Sequence, residues 1–351
     1  MKSSSLHFII KDDLEQRTGG YIYDDHIIRG LRELGWVISV HSTSPSSSKI
    51  GTPPNNSLEN ILNSIEEGQT VILDGLVMGR NPRELSRHTH RLKLISLLHH
   101  PLFKESGLPQ SEMARLFEME KKALTNCVGV ITTSQFTANQ LATMNIPTEI
   151  IRTVIPGTKP ALPAKGPHKN APPRLLCVAS VIPRKGFHIL IDALHKIRCL
   201  DWECICAGSL DRSPSYASEI LETVAKHQLG HRILFTGECS SATIDKLYDF
   251  SSIFVLASLY EGYGMVLAEA ATRSLPIIST TGGAIPYTMK GTPAILVPAG
   301  DSNSLADALR NTLNNFADES YSNQNQFPNW EQATRNFEDA ITSLVPDTVF
   351  S

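Results

Sequence analysis

The sequence predicts an α/β protein built from two doubly wound parallel-sheet domains that face each other across a cleft. Short apolar runs alternate with amphipathic helical patterns along the chain. A proline-rich segment interrupts this alternation, which then restarts. A length of 351 residues, of which 41% are hydrophobic and 19% charged, suits two globular domains.

The first half of the chain predicts five strands and five helices. The strands are expected at Leu6–Ile10, Trp36–His41, Val71–Leu73, Leu94–Leu98 and Val128–Thr132. The helices are expected at Tyr21–Leu34, Leu58–Glu66, from Pro82, at Glu112–Leu124 and after Ser134. Asn81 before Pro82 is typical of a helix start. The Ser-, Pro-, Gly- and Asn-rich stretch Ser42–Ser57 predicts a loop.

The domain boundary is predicted where prolines are densest. Residues 156–173 contain six prolines, a density that excludes a helix or a central strand. We therefore expect an N-terminal domain over 1–155, a linker over 156–173, a C-terminal domain over 174–326 and a final helix over 327–351 that crosses back to the first domain.

The second half repeats the strand–helix alternation. The strands are expected at Leu175–Ala179, Cys204–Ala207, Ile233–Phe235, Ile253–Leu256, Pro276–Ser279 and Ala294–Val297. The helices are expected at Phe187–Ile197, Ser215–His227, Thr243–Phe250, Met265–Thr272 and Ser304–Phe316. The pattern from Trp330 to Leu344 has apolar residues at helical spacing, and we expect Trp330, Phe337 and Ile341 to pack on the first domain.

Composition excludes several classes of function. A net charge of −3 gives no bulk basic field for nucleic acid or an anionic membrane. No apolar window approaches the roughly 18 residues of a membrane helix, and six scattered cysteines fit buried thiols in the cytoplasm. The sequence has no P-loop, no G-x-S-x-G and no G-x-G-x-x-G after the first strand.

Two segments carry the features of an anion site. Pro183-Arg184-Lys185-Gly186 joins a predicted strand to a helix, so Lys185 is placed for a phosphate, although a solvated basic turn would read the same. Glu261-Gly262-Tyr263-Gly264-Met265-Val266-Leu267-Ala268-Glu269 follows another strand with a glycine turn and a helix start. With no D-x-D clamp for a metal, a diphosphate would need protein cations and helix ends.

The second segment resembles the E-x7-E signature of family 4 glycosyltransferases, which have the GT-B fold of two facing Rossmann-like domains with a ligand cleft between them. The resemblance covers nearly the whole chain. Thr18-Gly19-Gly20 is similar to the glycine turn that follows the first strand in that family. The resemblance also includes the segments Val178–Gly186, Ile233–Gly237 and Thr281-Gly282-Gly283.

The resemblance implies roles for individual residues. Gly19 and Gly20 would face the donor diphosphate, and Lys185 would bind it. Glu269 would hold the donor ribose, and Glu261 would face the transferred sugar. The first-turn amides would touch donor phosphate or sugar, and they belong to Gly264, Met265 and Val266.

Two positions stay open within this resemblance. A histidine at the exit of the Leu94–Leu98 strand would touch the transferred sugar, and His99 aligns better than His100. Many relatives carry an arginine five residues before the lysine, where this chain has Ser180. Arg184 is the expected substitute, provided that it lies in the turn before the helix; otherwise it would point to solvent or to the acceptor.

The resemblance implies a retaining, metal-independent transfer of a hexose from a nucleotide-diphosphate sugar, with a UDP-sugar favoured, to an acceptor hydroxyl. His99, Glu261 and Lys185 are the expected catalytic residues. The predicted partners are the donor and a small soluble acceptor, such as a pteridine-like compound, with no cofactor, no metal, no nucleic acid and no integral membrane association. A non-catalytic sugar-nucleotide-binding protein, or an epimerase or phosphorylase of the same fold, is the alternative.

Overall fold

The computed structural model describes residues 5–12, 17–43, 57–105, 107–169, 171–315 and 327–346. The chain divides into two compact units. The N-terminal unit contains Met1–Gly157 together with Pro328–Ser351, and the C-terminal unit contains Thr158–Phe327. Most of the predicted loop at Ser42–Ser57 and the predicted helix end at Phe316 lie outside the described residues.

The N-terminal unit contains a six-stranded parallel sheet in the order β2-β1-β3-β4-β5-β6. Its strands are β1 Ser5–Ile10, β2 Val37–Ser42, β3 Thr70–Asp74, β4 Lys93–Leu98, β5 Gly129–Thr132 and β6 Ile151–Thr153. Its helices up to the boundary are α1 Gly19–Glu33, α2 Leu58–Ser64, α3 Gly75–Met78, α4 Pro82–Ser86, α5 Gln110–Leu124 and α6 Gln135–Thr143.

The C-terminal unit contains a second six-stranded parallel sheet in the order β12-β11-β10-β7-β8-β9. Its strands are β7 Arg174–Val178, β8 Glu203–Ala207, β9 Ile233–Gly237, β10 Ile253–Leu256, β11 Ile277–Thr280 and β12 Ala294–Val297. Its helices are α7 Phe187–Lys196, α8 Pro214–Lys226, α9 Ser241–Asp249, α10 Met265–Thr272, α11 Ile285–Thr288 and α12 Ser302–Asn314.

The central strands are apolar because helices cover both faces of each sheet. Every residue of β3, β10 and β11 is buried. Side-chain caps set several helix starts: Ser57 accepts a hydrogen bond from the amide of Asn60, and Ser134 from that of Thr137. These features confirm the α/β class with two doubly wound sheets.

The sequence pattern missed three short elements. Strand β6 has three residues, and helices α3 and α11 have four each, too few to show a period. The proline-rich segment was predicted as a linker, but from Thr158 onward it belongs to the C-terminal unit. There the amides of Ala164 and Lys165 donate to the carbonyl oxygens of Arg273 and Asp249, at 2.8 and 2.7 Å.

The last helix, α13 Trp330–Leu344, begins after the cap Asn329 and packs against α1 within the N-terminal unit. The Phe337 ring is fully buried and stacks near Phe8, with their centroids 6.5 Å apart. The indole nitrogen of Trp36 donates to Glu338 at 2.8 Å. The helix therefore completes the core of a unit whose other residues lie far away in sequence.

Replacing Phe337 by alanine should lower the free energy of unfolding by about 3 kcal/mol, because the cavity under α13 cannot collapse fully. Asn336→Ala, on the exposed face of the same helix, is the matched control and should change it by less than about 0.5 kcal/mol. Urea unfolding followed by circular dichroism measures both. Equal stability of the two variants would mean that α13 contributes no core packing.

Candidate functional site

The strand order of the C-terminal sheet marks one position for a ligand. The order in which successive strands join the sheet reverses between β7 and β10, which are parallel, hydrogen-bonded neighbours. The loops that leave the carboxyl ends of such strands run to opposite sides and open a crevice. The loop after β7 carries Arg184 and Lys185, and the loop after β10 carries Glu261.

A glycine brings these two loops into contact. Pro183–Lys185 form a 3₁₀ turn, and Gly186 follows with a left-handed φ of 65°. A Cβ at Gly186 would lie 2.1 Å from the carbonyl oxygen of Ala257, so no larger residue fits. The amide of Leu259 then donates to the carbonyl of Arg184 at 2.8 Å. Lys185 therefore lies in the turn that precedes α7, at the helix start where the sequence placed it.

A buried ionic cluster joins the two loops. The Lys185 ammonium lies 2.6 Å from Oε1 of Glu261, and Nη1 of Arg184 lies 3.5 Å from Oε2 of the same carboxylate. The Ser258 hydroxyl donates to Oε1 at 2.6 Å. Arg184 also donates to the carbonyl oxygen of Tyr260 at 2.9 Å. Glu261 is only 5% exposed, so these bonds form away from water.

Burial and neighbouring charges set the ionisation of this cluster. Burial alone would raise the pKa of Glu261, but Lys185 and Arg184 outweigh it and hold that pKa below its ordinary value. Burial also lowers the pKa of Lys185, with Arg184 acting in the same direction and Glu261 opposing both. The cluster therefore holds two cations against one carboxylate.

A glycine pair fixes the backbone of Glu261. Its carbonyl accepts from the amide of Ala284 at 2.8 Å, and Glu261 pairs with Gly283 in an isolated parallel bridge. A Cβ at Gly283 would lie 2.4 Å from the Glu261 carbonyl oxygen, and one at Gly282 would lie 2.6 Å from that of Leu259. The pair that the resemblance singled out thus lets the β11 loop approach the carboxylate-bearing loop closely.

Helix α10 starts at this site. Gly264 caps it with a φ of 89° and no side-chain hydrogen bond. The first-turn amides of Met265 and Val266 lack intrahelical carbonyl partners because of their position. They give the crevice the partial positive charge of a helix N-terminus.

Glu269 lies further along α10 and is held by a tyrosine. The buried Tyr248 hydroxyl donates to Oε2 of Glu269 at 3.0 Å and lies 3.1 Å from the carbonyl of Val266. Burial raises the pKa of Glu269, and the Tyr248 hydrogen bond and nearby Arg273 partly offset the shift. Tyr248 thus orients one oxygen of Glu269 and leaves the other for a further donor.

The N-terminal sheet has its own reversal point, between β1 and β3. His99 follows β4 directly, and its Nε2 lies 3.0 Å from Oδ1 of Asp24 on α1, which is fully buried. Asp74 ends β3, accepts from the amide of Leu76 and is also buried. Burial would lower the pKa of His99, but Asp24 and Asp74 outweigh it and raise that pKa. Burial and the Asp24 charge raise the pKa of Asp74.

The two N-terminal glycines lie in a helix, not in the predicted turn. Gly19 and Gly20 are the first residues of α1. A Cβ at Gly20 would lie 3.1 Å from Cδ2 of His99, so glycine allows the imidazole to approach the helix start. His100, the alternative histidine, instead pairs with Glu105 at 3.2 Å.

A buried carboxylate fastens the loop after these histidines. Both oxygens of Glu120 lie 3.1 Å from the amide of Leu102. Burial raises the pKa of Glu120 to about 7, and the hydrogen bond from Leu102 offsets only part of the shift. Glu120 on α5 therefore fixes the path of the chain that leaves His99.

The predicted residues form two sets, one in each unit. The set in the N-terminal unit consists of Gly19, Gly20 and His99. The set in the C-terminal unit consists of Arg184, Lys185, Glu261, Gly264, Met265, Val266 and Glu269. Sequence reasoning missed Asp24, Asp74, Ser258, Tyr248 and Glu120. Asp24 gave a signal that was not used, since an acid on the buried face of an amphipathic helix needs a partner. Asp74 gave another, because it ends a buried strand.

No set of three or more His, Cys, Asp or Glu side chains is arranged to hold a metal ion within the described ranges. In the same residues, no helix is both long and apolar enough to span a bilayer.

Residues 172–315 match the family model "Glycosyl transferases group 1". Over 138 residues the chain is 30% identical to the lipopolysaccharide core biosynthesis mannosyltransferase LpsB of Rhizobium meliloti, covering 38% of this chain and 39% of that one. It is 27% identical over 162 residues to sucrose-phosphate synthase of Zea mays, covering 41% and 14%. The matches thus span less than half the length of these curated relatives.

Solved structures resemble the whole chain. Sucrose-phosphate synthase from Thermosynechococcus elongatus has a TM-score of 0.80 at 20% identity, covering 98% of this chain and 99% of that one. Anabaena HepE in complex with UDP and glucose has a TM-score of 0.75 at 16% identity, covering 97% and 100%.

These likenesses confirm the GT-B fold. Residues 172–315, which carry the cluster of Lys185, Arg184 and Glu261, match the family model for glycosyl transferases group 1, in agreement with the E-x7-E resemblance.

Glu261→Gln should lower the free energy of unfolding by about 3 kcal/mol, because two partly buried cations lose their buried counter-charge. Glu219→Gln, an exposed acid in the same unit, is the control and should have no measurable effect. Urea unfolding without any ligand measures this. An unchanged midpoint for Glu261→Gln would contradict a buried ionic cluster.

Glu120 should make stability fall as pH rises. In the folded chain Glu120 stays protonated up to about pH 7, whereas in the unfolded chain it loses its proton near the ordinary glutamate pKa of 4.5. Between these pH values the free energy of unfolding should lose on the order of 3 kcal/mol.

Glu120→Gln cannot titrate, so its stability between pH 5 and pH 8 should fall less than that of the wild type. Glu118→Gln, exposed on the same helix, should keep the wild-type slope. Urea unfolding at pH 5, 6, 7 and 8 tests this, and parallel profiles for the wild type and Glu120→Gln would show that Glu120 is not the titrating group.

Proposed function

We propose that this protein is a glycosyltransferase that moves a hexose from a nucleotide-diphosphate sugar, with UDP as the favoured nucleotide, to a hydroxyl of a small soluble acceptor. The observation that carries the proposal is the buried cluster of Lys185, Arg184 and Glu261 at the reversal point of the C-terminal sheet. Two cations beside a helix start suit a diphosphate.

Each polar group of the C-terminal site has a role in this proposal. Lys185 and Arg184 bind the diphosphate, together with the amides of Met265 and Val266. Glu269, oriented by Tyr248, accepts hydrogen bonds from the ribose hydroxyls through its remaining oxygen. These groups stabilise the charge that develops on the departing nucleotide diphosphate.

The ion pair of Lys185 with Glu261 suggests how binding and chemistry are linked. Glu261 holds the ammonium in place before a donor arrives. A diphosphate can then share Lys185 without reorganisation of the loops, since both loops are already fastened by backbone hydrogen bonds. Glu261 would then lie beside the transferred sugar, as the resemblance implies.

In the N-terminal unit, His99 is the proposed contact to the transferred sugar. Asp24 occupies one imidazole nitrogen, which fixes the ring and leaves Nδ1 on the other side. His100 is committed to Glu105 and is the weaker candidate. Gly19 and Gly20, at the start of α1, would contribute backbone amides toward the donor phosphates.

Retention of configuration and independence from metal belong to the same proposal. The family resemblance supports retention, and the two protein cations support neutralisation of the diphosphate without Mg²⁺. UDP in the complex of the structurally similar HepE supports the choice of nucleotide. The acceptor is proposed only as a class, a small soluble compound such as a pteridine-like one, in cytoplasm.

Arg184→Ala should weaken donor binding about tenfold, because a charge-assisted hydrogen bond to phosphate is lost. Lys185→Ala should weaken it at least as much, and Ser180→Arg should partly restore the Arg184→Ala variant. Arg310→Ala, an exposed arginine of the same unit, is the control. Calorimetric titration with UDP, ADP and GDP sugars measures the dissociation constants. If Arg184→Ala binds like the wild type, Lys185 serves the diphosphate alone.

Glu269→Gln should raise the donor dissociation constant about tenfold, because an amide cannot accept from the ribose as a carboxylate does. Glu219→Gln is again the matched control.

Product release measured in EDTA and in Mg²⁺ tests the metal prediction on the same preparations. Activity that is lost in EDTA and regained with Mg²⁺ would overturn metal independence. The donor affinity of Glu269→Gln would still test the proposed donor site.

A further inference from the structure

A second polar cavity lies in the C-terminal unit, away from the cluster of Lys185 and Glu261. Its volume is about 350 Å³, and its lining is dominated by cationic and imidazole side chains. We name it the basic pocket; these side chains are His195, Arg198, Lys226, His227, His231 and Arg232. No carboxylate is among the residues that line it.

The basic pocket lies at the edge of the sheet opposite the proposed donor site. Helix α7 starts just after Lys185 and ends at Lys196, so His195 lies at its far end. Lys226 ends α8, and the chain then leads into the amino end of β9. In parallel α/β units the carboxyl ends of helices and the amino ends of strands share one edge, and donors bind at the other.

Arginine side chains build the floor of this pocket. Arg232 donates to the carbonyl oxygens of Trp202, Arg198 and Leu200, at 3.0, 2.8 and 2.5 Å, and its guanidinium stacks on the Trp202 ring at 3.8 Å. Arg198 donates to the carbonyl of His195 at 3.1 Å. Helix ends carry partial negative charge that would repel an anion, and these two arginines offset it.

The wall of the pocket is a pair of stacked imidazoles. The rings of His195 and His227 are 3.9 Å apart at 23°. Nδ1 of His195 is buried without a hydrogen-bond partner among the described residues. Two rings that become cationic together repel each other, so an anion beside them would stabilise their protonated forms.

The acids near the pocket are occupied or outside it. Asp192, one turn before His195, binds the Lys196 ammonium at 2.9 Å and accepts from Ser302. Asp201 is exposed and interacts electrostatically with Arg232. Within the part of the chain that the structure describes, no hydrogen bond or ion pair involves the side chains of three lining residues, namely Lys226, His227 and His231.

We propose that the basic pocket binds a small soluble phosphate-class anion, such as inorganic phosphate or a phosphate monoester. Lys226, His227 and His231 are the groups that would contact it, above the floor of Arg198 and Arg232. The volume suits a small molecule. The site is independent of the proposed glycosyl transfer, since none of its residues belongs to the donor set.

The test must separate this pocket from the donor site, which also attracts phosphate. All titrations therefore use Lys185→Ala as the background. Calorimetry with sulfate and with inorganic phosphate at constant ionic strength gives the affinities, and the histidine ring signals in NMR report where the anion binds. In this background, adding Lys226→Gln and His227→Gln should weaken the binding of both anions about tenfold, whereas adding Lys290→Gln, which removes one lysine charge at an exposed site, should not.

Sulfate keeps its double charge from pH 5.5 to pH 8, so any change of its affinity with pH comes from the protein. The sulfate affinity should rise as pH falls, because a dianion beside stacked imidazoles favours their cationic form. In the free protein, burial and the neighbouring His227 and Arg198 lower the pKa of His195. The other charged groups around the pocket are Asp192, Asp201, Lys226 and Arg232. Affinity that is unaffected by the Lys226/His227 substitutions would overturn the proposal. Binding to phosphatidic acid vesicles with no binding of soluble sulfate or phosphate would also overturn it, because a membrane surface would then be the partner.

Discussion

The buried contact of Glu261 with Lys185 and Arg184 is the interaction on which the C-terminal unit depends. It joins two loops that leave neighbouring strands, and it can form only because Gly186 lets one loop lie on the backbone of the other. Desolvation makes each of these charges costly alone, so the loops are stable only together. The contact thus concentrates positive charge in a crevice of the C-terminal unit.

The fold could be predicted from the sequence because buried strands and helices have recognisable local patterns of apolar residues. Strands such as β10 are apolar throughout, and the helices between them show a 3.6-residue period. Short elements such as α3 show no such pattern, since α3 is a single turn capped by Asp74. The Pro-rich segment was predicted as a linker because prolines exclude regular structure. They do not prevent packing, and the amide of Ala164 donates to the carbonyl oxygen of Arg273 within the C-terminal unit.

The site was predicted where one short segment contains it and missed where partners meet through the fold. Glu261 and Glu269 are eight positions apart, but Asp24 and His99 lie 75 apart and meet only because α1 packs beside the end of β4. Gly20 was attributed to a turn, whereas its role is to let the His99 ring approach a helix. Such requirements come from tertiary contact, and a pattern along one chain does not record them.

The position of Arg184 supports its proposed role as the substitute for the arginine that many relatives carry where this chain has Ser180. On a helix, neighbouring side chains point about 100° apart, so adjacent cations cannot converge. Here α7 begins only at Phe187, and Arg184 and Lys185 lie in the preceding 3₁₀ turn. Both reach the same carboxylate, one at each oxygen. A carboxylate and a phosphate present oxygens at similar spacing, so a geometry that converges on Glu261 can converge equally on a diphosphate. In the proposed function, the second cation for the diphosphate therefore comes from the turn rather than from the strand exit.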